Sequence, residues 1–258
     1  MTILKHKDQT VRIDGGELVG YAVDGHEFIH QKGSPGWRSS DTEMFPIIGP
    51  TDTANFRVAT PRGHAVQDQH GLLLEMPYQK VEENDLCAAF VKEYAANTPV
   101  ANAKYPGKST EAQLQWPYDF SFTKRFLLKD QGLSISFEIQ GEEGMPFMLG
   151  YHPAFKVHSD SATIRTNNQQ LTLAQVMAVG SRAMPILDQN SILLEDTRTL
   201  EVRTTGFPHF MLWTEVPNMV CMEPITFYPY AVPQAKLHQG FQTLGKDRRH
   251  YSVLLTAH

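Results

Sequence analysis

One glutamate stands in an otherwise apolar stretch of the sequence. Glu223 lies in MVCMEPITF, residues 219–227, and Pro224 follows it directly. A carboxylate buried there without a partner would cost free energy or would take up a proton. On a strand, Glu223 shares a face with Cys221 and Ile225. The residue therefore either reaches solvent or an arginine at the strand end, or transfers protons in a cleft.

A histidine has a comparable setting in MPFMLGYHPAF. Residues 145–149 are predicted to form a strand, Gly150 permits a change of backbone direction, and Pro153 ends the ladder just after His152. Because an unperturbed imidazole has a pKa of about 6.5, His152 is suited to proton donation near neutral pH. The alternative is a structural histidine with no chemical role.

A second histidine, His70 in QDQHGLLLEMP, is predicted to open a strand after a polar loop, with Asp68 able to orient its ring. The one H-E-x-x-H spacing, from His26 to His30, follows the predicted hairpin turn and so lies on a strand and not on the helix that a zinc motif needs. There is no C-x-x-C pair, so we predict no metal site. It also contains no glycine-rich phosphate loop and no G-x-S-x-G elbow. We therefore predict that the protein needs no cofactor.

The elements that must position these residues alternate with a period of two. In LSISFEIQ the large apolar residues at 133, 135, 137 and 139 point one way, and FSFTKRFLL, residues 120–128, repeats the pattern with Lys124 on its apolar face. Further short runs rich in β-branched and aromatic residues are LCAAFVKEY, ATIRTNN, LEVRTT, FMLWTEV and YSVLLTA. Such runs predict an all-β protein built as an antiparallel sandwich or barrel.

Turn residues punctuate these runs along the whole chain. Asp24-Gly25 is typical of a two-residue hairpin, and Asn167-Asn168 is a second candidate. Because the prolines and glycines do not gather in one linker, we predict a single domain over residues 1–258. The polar stretch 95–117 is the least strand-like part, and we expect a long loop that forms the rim of a site.

Composition excludes several classes of protein. The net charge is -5, 41% of residues are hydrophobic, and no basic stripe offers itself to nucleic acid. No apolar run approaches the roughly 20 residues of a membrane span, and the first residues lack a signal-peptide pattern. The two cysteines, Cys87 and Cys221, are predicted to be small buried hydrophobes in a cytoplasmic protein.

Five motifs occur in a fixed order between Trp37 and Pro224: W…FPIIGP, DQHG, WPYDF, MPFMLGYHPAF and FMLWTEVPNMVCMEP. Together they resemble the galactose mutarotase-like family, the aldose 1-epimerases in the broad sense, and in particular its compact bacterial branch. The strongest elements are G-x-H-P-A-F around His152 and C-x-E-P around Glu223. The resemblance implies a large antiparallel β-sandwich, a galactose mutarotase-like supersandwich, with an open sugar cleft.

The resemblance also implies roles for individual residues. Glu223 matches the family's general base, His152 its general acid, and His70 the histidine that holds the substrate. The implied activity is interconversion of the α and β anomers of a free aldohexose, by a monomer or homodimer. We expect aromatic residues to form a wall for the apolar face of the sugar, with Trp37, Trp116, Tyr118, Phe155 and Trp213 as candidates.

Two family features are absent. The family arginine that follows F-P-x-x-G is replaced by Pro50, and Arg57 or Arg62 is a candidate substitute for sugar binding. The family aspartate has no clear counterpart, although Asp188 and Asp196 lie in the right interval. These departures leave open a mutarotase for a hexose phosphate, with Lys104 as a further anchor, or a sugar-binding protein without catalysis. An all-β interaction domain is the third alternative.

Overall fold

The chain folds almost entirely into antiparallel strands. The computed structural model describes all 258 residues. Its strands are β1 (Thr2–His6), β2 (Gln9–Asp14), β3 (Glu17–Val23), β4 (His26–Glu27), β5 (Glu43–Met44), β6 (Arg57–Thr60), β7 (Gly63–Val66), β8 (Gln79–Glu83), β9 (Cys87–Tyr94), β10 (Val100–Ala101), β11 (Gln113–Leu114), β12 (Phe120–Lys129), β13 (Gly132–Gly141), β14 (Pro146–Phe147), β15 (Gly150–Tyr151), β16 (Ala154–Lys156), β17 (Thr163–Arg165), β18 (Gln170–Thr172), β19 (Met184–Ile186), β20 (Ser191–Glu195), β21 (Thr199–Thr205), β22 (His209–Trp213), β23 (Met219–Ile225), β24 (Gln242–Thr243) and β25 (Arg249–Ala257).

Helical structure is confined to short segments. One α-helix, α1, spans Leu173–Val179 and begins with a capping box between Thr172 and Gln175. Short 3-10 helices cover Asp52–Ala54, Leu73–Glu75, Gly180–Arg182, Pro229–Ala231 and Gln234–Gly240. None of the helices is long and apolar enough to cross a membrane.

Two large sheets form the sandwich. The nine-stranded sheet has the order β18-β17-β20-β21-β25-β13-β12-β9-β8, and the six-stranded sheet has the order β19-β22-β23-β15-β5, with β16 also pairing with β23. Smaller sheets are β1-β2-β3-β4, β6-β7, β10-β11 and β14-β24. A hydrophobic cluster of 60 buried residues joins the layers. For example, Phe137 of the larger sheet packs 5.1 Å from Tyr151 of the smaller one, centroid to centroid.

The alternation along β12 and β13 explains how the nine-stranded sheet buries one face and leaves the other partly exposed. In β13 the side chains of Leu133, Ile135, Phe137 and Ile139 are all buried, while the residues between them are partly exposed. In β12 the same pattern buries Phe120, Phe122, Lys124, Phe126 and Leu128. The predicted antiparallel β-sandwich with two unlike faces is therefore confirmed.

Lys124 is the one charged side chain on this apolar face of β12, and it is fully buried. Its Nζ lies 2.7 Å from Asp41 Oδ2 and 2.6 Å from Glu43 Oε1. Tyr151 donates a hydrogen bond to Asp41 Oδ2 at 2.7 Å, and Tyr78 donates one to Glu43 at 2.6 Å. A buried charge must be paired to be tolerated, and this network provides that pairing between the two sheets.

The predicted turns are present. Asp24 and Gly25 have φ values of 51° and 77° and connect β3 to β4, as expected for a two-residue hairpin. Asn167 and Asn168 lie in the connection between β17 and β18. Both cysteines, Cys87 and Cys221, are buried and free, as predicted. That residues 1–258 form a single domain stays a prediction.

Candidate active site

One cavity of about 370 Å³ gathers the residues with chemical potential. Such a volume lies in the range typical of small-molecule sites. Glu223, His152 and His70, which the sequence analysis placed in one cleft, all line it. The other lining residues are Trp37, Ile48, Gly49, Gln69, Lys108, Ser181, Ala183, Met211, Trp213, Pro229 and Tyr230.

The strand register places His152 opposite Glu223. β15 and β16 both pair antiparallel with β23, and His152 lies in the two-residue gap between them. The flanking pairs are Gly150–Ile225 and Ala154–Cys221. Because His152 and Glu223 are each midway between these pairs, they face each other across the ladder. The distance from His152 Nε2 to Glu223 Oε1 is 3.5 Å.

Main-chain hydrogen bonds hold His152 although it lies outside a strand. Its N–H donates to the carbonyl of Thr42 at 2.8 Å, and the N–H of Thr42 donates to the carbonyl of His152 at 3.2 Å. Gly150 of β15 is closely packed, because a Cβ there would lie 2.4 Å from Met44 Cε and would displace that side chain. On the other side, β22 pairs Met211 with Glu223. Paired backbone segments therefore hold both side chains rigidly in place.

Burial acts on the two groups in opposite directions. Removal from water lowers the pKa of His152 to about 4, and it raises the pKa of Glu223 well above its ordinary value. The general-base and general-acid roles that the family resemblance implies need an ionised glutamate beside a protonated histidine. In the cavity without sugar, burial instead favours a protonated carboxyl and a neutral imidazole. Both descriptions hold one proton between the two side chains, and they differ only in where it sits.

Aromatic rings surround His152. Trp37 stacks on the imidazole with centroids 4.4 Å apart and an interplanar angle of 30°. Trp213 and His70 meet it edge to face, at 6.2 and 5.3 Å. Of the aromatic candidates for a sugar wall, Trp37 and Trp213 line the cavity. Tyr118 is buried and lies outside the lining.

His70 reaches the cavity from a turn, and the expectation that it opens a strand is wrong. Its φ is 77°, and the next element is the 3-10 helix Leu73–Glu75. Gly71, with φ of 73°, allows the turn, because a Cβ there would lie 2.2 Å from the carbonyl oxygen of Phe45. Burial lowers the pKa of His70 well below its usual value. The site therefore receives a neutral imidazole from this turn.

Asp68 does not orient the ring of His70. Its carboxylate accepts hydrogen bonds from Lys104 Nζ at 2.9 Å and from Asn102 Nδ2 at 3.1 Å. Since Lys104 is paired in this way and also donates to the carbonyl of Gln69, it does not line the cavity. The salt bridge instead ties the loop after β10 to the turn that carries His70.

The two arginines expected to bind sugar lie elsewhere. Arg57 is exposed and pairs with Glu111 at 3.2 Å. Arg62 forms two hydrogen bonds with Glu142, at 3.0 and 2.6 Å, and its guanidinium lies over the Tyr118 ring. Neither lines the cavity. Arg57 lies at the start of β6 and Arg62 in the turn between β6 and β7, and both side chains point to these surface partners.

Two of the proposed aromatic contacts are core residues. Trp116 is fully buried and packs edge to face against Phe241, with centroids 5.9 Å apart. Phe155 is fully buried on β16, where it pairs with Val220. Neither lines the cavity. Both follow the general tendency of large aromatic side chains to fill the core.

Lys108 is the charged cavity residue that the sequence did not predict. It is the only lysine or arginine among the lining residues, and its ammonium has no ion-pair partner. It belongs to the loop over residues 95–117, which was predicted to form a rim. The sequence features that could have identified Lys108 are its position in this loop and its charge, since it belongs to no motif. Gln69, Ser181 and Tyr230 supply further polar groups that could hold hydroxyls.

The family's aspartate and arginine have no direct counterparts in the cavity. Asp196 accepts hydrogen bonds from the N–H of His158 and the hydroxyl of Ser159, both at 2.6 Å, and Asp188 is exposed. Pro50 also lies outside the lining. Glu223 is therefore the only carboxylate of the cavity. No group of three or more histidine, cysteine, aspartate or glutamate side chains has the geometry to hold a metal ion.

Solved structures share this fold. A galactose mutarotase-like protein from Lactobacillus casei ATCC 334 is 17% identical over 100% of both chains, with a TM-score of 0.77. A galactose mutarotase related enzyme from Lactobacillus acidophilus is 17% identical over 99% of this chain and 96% of that one, with a TM-score of 0.77. A galactose mutarotase-like protein from Clostridium acetobutylicum is 13% identical over 99% and 94%, with a TM-score of 0.68. The predicted galactose mutarotase-like fold is confirmed.

Sequence comparison adds the family. A search of curated proteins gives no match. The aldose 1-epimerase family model, however, matches residues 60–193, which is more than half of the chain. The matched segment contains His70 and His152, and the strand register brings Glu223 to them from outside it. The chain therefore belongs to the aldose 1-epimerase family.

Proposed function

We propose that the protein is an aldose 1-epimerase that interconverts the α and β anomers of a free aldohexose, with Glu223 and His152 as its acid–base pair. The observation that carries the proposal is the 3.5 Å contact between these side chains at one cavity wall. Ring opening needs a proton on the ring oxygen and the loss of a proton from the C1 hydroxyl. An adjacent acid and base can perform both transfers.

Glu223 and His152 can carry out all the proton transfers of the reaction without a further group. The ligand-free pair holds its proton on Glu223, and transfer to Nε2 of His152 gives a carboxylate beside an imidazolium. The carboxylate then takes the proton of the C1 hydroxyl while the imidazolium protonates the ring oxygen, and the ring opens. Both side chains are uncharged again, which is the state that burial favours. After rotation about C1–C2, the same transfers in reverse close the ring on the other face.

A substrate hydroxyl network fits the rest of the lining. Sugars present hydroxyls to polar groups and an apolar face to aromatic rings, and the cavity offers both kinds of group. His70, Gln69 and Lys108 are the side chains we assign to hydroxyl binding, and Trp213 to the apolar face. Because Lys108 carries a free positive charge, an aldose phosphate is the second candidate substrate. A single exposed lysine favours the uncharged sugar.

The test is polarimetry of freshly dissolved α-glucose and α-galactose, corrected for the spontaneous reaction. We expect Glu223→Gln to lower the catalysed rate by about 10²- to 10⁴-fold, the usual contribution of a positioned acid or base. Glu93→Gln, at an exposed position of β9, is the matched control and should leave the rate unchanged. Full activity of Glu223→Gln would remove Glu223 from the mechanism. A wild-type protein that binds sugar without catalysis would support the sugar-binding alternative.

A further inference from the structure

The indole ring of Trp37 is the only ring stacked on the imidazole of His152. The centroids lie 4.4 Å apart at 30°, whereas Trp213 and His70 approach at 67° and 72°. One indole face is therefore occupied by His152 and is not available to a sugar. This geometry distinguishes Trp37 from an ordinary aromatic wall residue.

The loop that carries Trp37 is fastened to the segments on either side of the site. The carbonyl of Trp37 lies 2.9 Å from Nε2 of His30, and its N–H donates to Sδ of Met219 at 3.4 Å. Asn218 Nδ2 donates to the carbonyl of Pro35 at 2.9 Å. Met219 begins β23, the strand of Glu223. The same strand therefore sets the positions of the carboxyl and of the indole.

The loop also needs a glycine next to Trp37. Gly36 has φ of 110°, and a Cβ there would lie 2.7 Å from Cγ2 of Val216 and 2.8 Å from Sδ of Met219. The backbone thus approaches the turn before β23 more closely than any other residue type allows. The indole is held in place before substrate arrives.

Among the titratable groups facing His152, only Glu223 can stabilise a positive charge on the imidazole, and it does so once it has given up its proton. Glu223 approaches from β23, His70 from its turn, and Lys108 and Tyr230 from the loops that line the same cavity. Glu223 alone has an acidic side chain, His70 is held neutral by burial, and Lys108 adds a positive charge. The electron-rich face of an indole attracts a cation stacked on it, and tryptophan does so more strongly than other aromatic residues. Trp37 therefore adds a stabilising contact to the imidazolium that does not depend on the protonation of Glu223.

We propose that Trp37 is a positioning residue of the reaction, which fixes the plane of the His152 imidazole and stabilises the imidazolium formed when the proton moves over from Glu223. Its catalytic consequence rests on the proposed function, but the ring–ring interaction does not, because it is measurable without substrate. Loss of the π face destabilises the charged form of His152, so less imidazolium is present to protonate the ring oxygen. The effect falls on kcat more than on KM.

The test compares Trp37→Leu and Trp37→Phe with the wild-type protein. The His152 imidazole is followed by NMR between about pH 2 and pH 8, with its signal assigned by comparison with His152→Asn. We expect the pKa of His152 to fall by about 0.4 to 1.5 pH units in Trp37→Leu and by less in Trp37→Phe. The corresponding loss of kcat is about 3- to 30-fold, with partial rescue by phenylalanine.

Trp213→Leu is the matched control, because Trp213 lines the same cavity without stacking on His152. It should leave the pKa of His152 in place. An unchanged or raised pKa in Trp37→Leu would overturn the proposal, since the indole would then only exclude water or hold sugar. If acid unfolds the protein before His152 titrates, the kcat values of wild type, Trp37→Phe and Trp37→Leu, which should fall in that order, provide the test. A change in KM without a change in kcat would also overturn the proposal. If the wild-type protein shows no anomer exchange, the proposed function fails while the titration still decides the role of Trp37.

Discussion

His152 Nε2 and Glu223 Oε1 lie 3.5 Å apart because two short strands on either side of His152 pair with the single strand of Glu223. The pair is thus a product of register, since a slip by one residue would turn Glu223 to the other face of the sheet. Both side chains are buried, and burial disfavours a charge on either. In the proposed mechanism the two side chains act as one unit that shares a proton.

The pH dependence of kcat/KM should report the pair and not an ordinary histidine. The active form holds one proton in total, so activity falls when a second proton is added or the last one is lost. Because burial lowers the pKa of His152 to about 4 and raises that of Glu223, we expect a broad plateau with its acid limb near pH 4. Initial rates at saturating and limiting sugar give the profile, and circular dichroism excludes unfolding. An acid limb near pH 6.5 would contradict the buried state of His152.

Removing both members of the pair should cost little more than removing one. A carboxyl and an imidazole that act on one proton-transfer cycle fail together when either is lost. We expect His152→Asn, Glu223→Gln and the double variant each to reduce kcat by about 10²- to 10⁴-fold. Independent, multiplicative losses in the double variant would show that the residues serve separate steps.

Glu223 should weaken the fold as pH rises. In the unfolded chain its carboxyl ionises near pH 4.5, whereas in the folded chain burial keeps it protonated to a higher pH. The folded state binds the extra proton, so stability is complete below pH 4.5 and declines above it. Each pKa unit is worth about 1.4 kcal/mol. We therefore expect Glu223→Gln to gain stability relative to wild type between pH 4.5 and pH 8, as measured by urea unfolding.

The control for that series is Glu93→Gln, whose side chain is exposed on β9. Its stability should follow the wild-type curve at every pH. A pH-independent difference between Glu223→Gln and wild type would mean that the buried carboxyl is ionised in the folded protein. Such a result would contradict a resting state in which burial keeps the proton on Glu223.

The sequence predicted the parts of this architecture that depend on local pattern. Alternation predicted β12 and β13 because every second residue faces the core, and Asp24-Gly25 predicted a hairpin because its backbone preferences are local. The roles of His152 and Glu223 came from the family resemblance, and their joint position in one cavity agrees with it. No single motif contains both, since their proximity is a property of strand pairing.

Tertiary contacts decided what the sequence could not. Arg57 and Arg62 were chosen for charge and proximity in sequence, but each is turned away by a nearby glutamate. Trp116 and Phe155 belong to the core, because the aromatic pattern of a wall and of a core is the same in sequence. Lys108 comes from a polar loop without a motif, and only the fold brings it to the cavity.

Lys108 should affect sugar affinity and leave the chemical step intact. Its ammonium can donate to substrate hydroxyls from the cavity rim. A net hydrogen bond of about 1 kcal/mol corresponds to roughly a fivefold increase in KM for Lys108→Ala, with kcat unchanged. Lys246→Ala, at an exposed position outside the cavity lining, is the matched control.

The same variant separates the two candidate substrates. Kinetics of glucose and glucose 6-phosphate should be measured side by side for wild type and Lys108→Ala. For a free-sugar enzyme, wild type prefers glucose. A preference for the phosphate that disappears with Lys108→Ala would identify the phosphorylated hexose as the substrate.

The buried network around Lys124 should be required for both stability and the site. Although burial alone would lower the pKa of Lys124, Asp41 and Glu43 together raise it, so the lysine stays charged. Lys124→Met leaves two buried carboxylates without a cation, and removal of one partner from a buried pair costs about 3–5 kcal/mol. We expect a loss of this size at pH 7 in urea unfolding. Lys129→Met, on the exposed end of β12, should stay within about 0.5 kcal/mol of wild type.

The loss in Lys124→Met should shrink as pH falls, because protonation removes the unpaired charges of Asp41 and Glu43. Without the cation, burial raises the pKa of both carboxyls above the unfolded values, so their penalty begins near pH 4 and grows as pH rises. The network also reaches the site, since Tyr151 bonds Asp41 and precedes His152. A variant as stable as wild type at pH 7 would show that water replaces the lysine and that the pairing is dispensable.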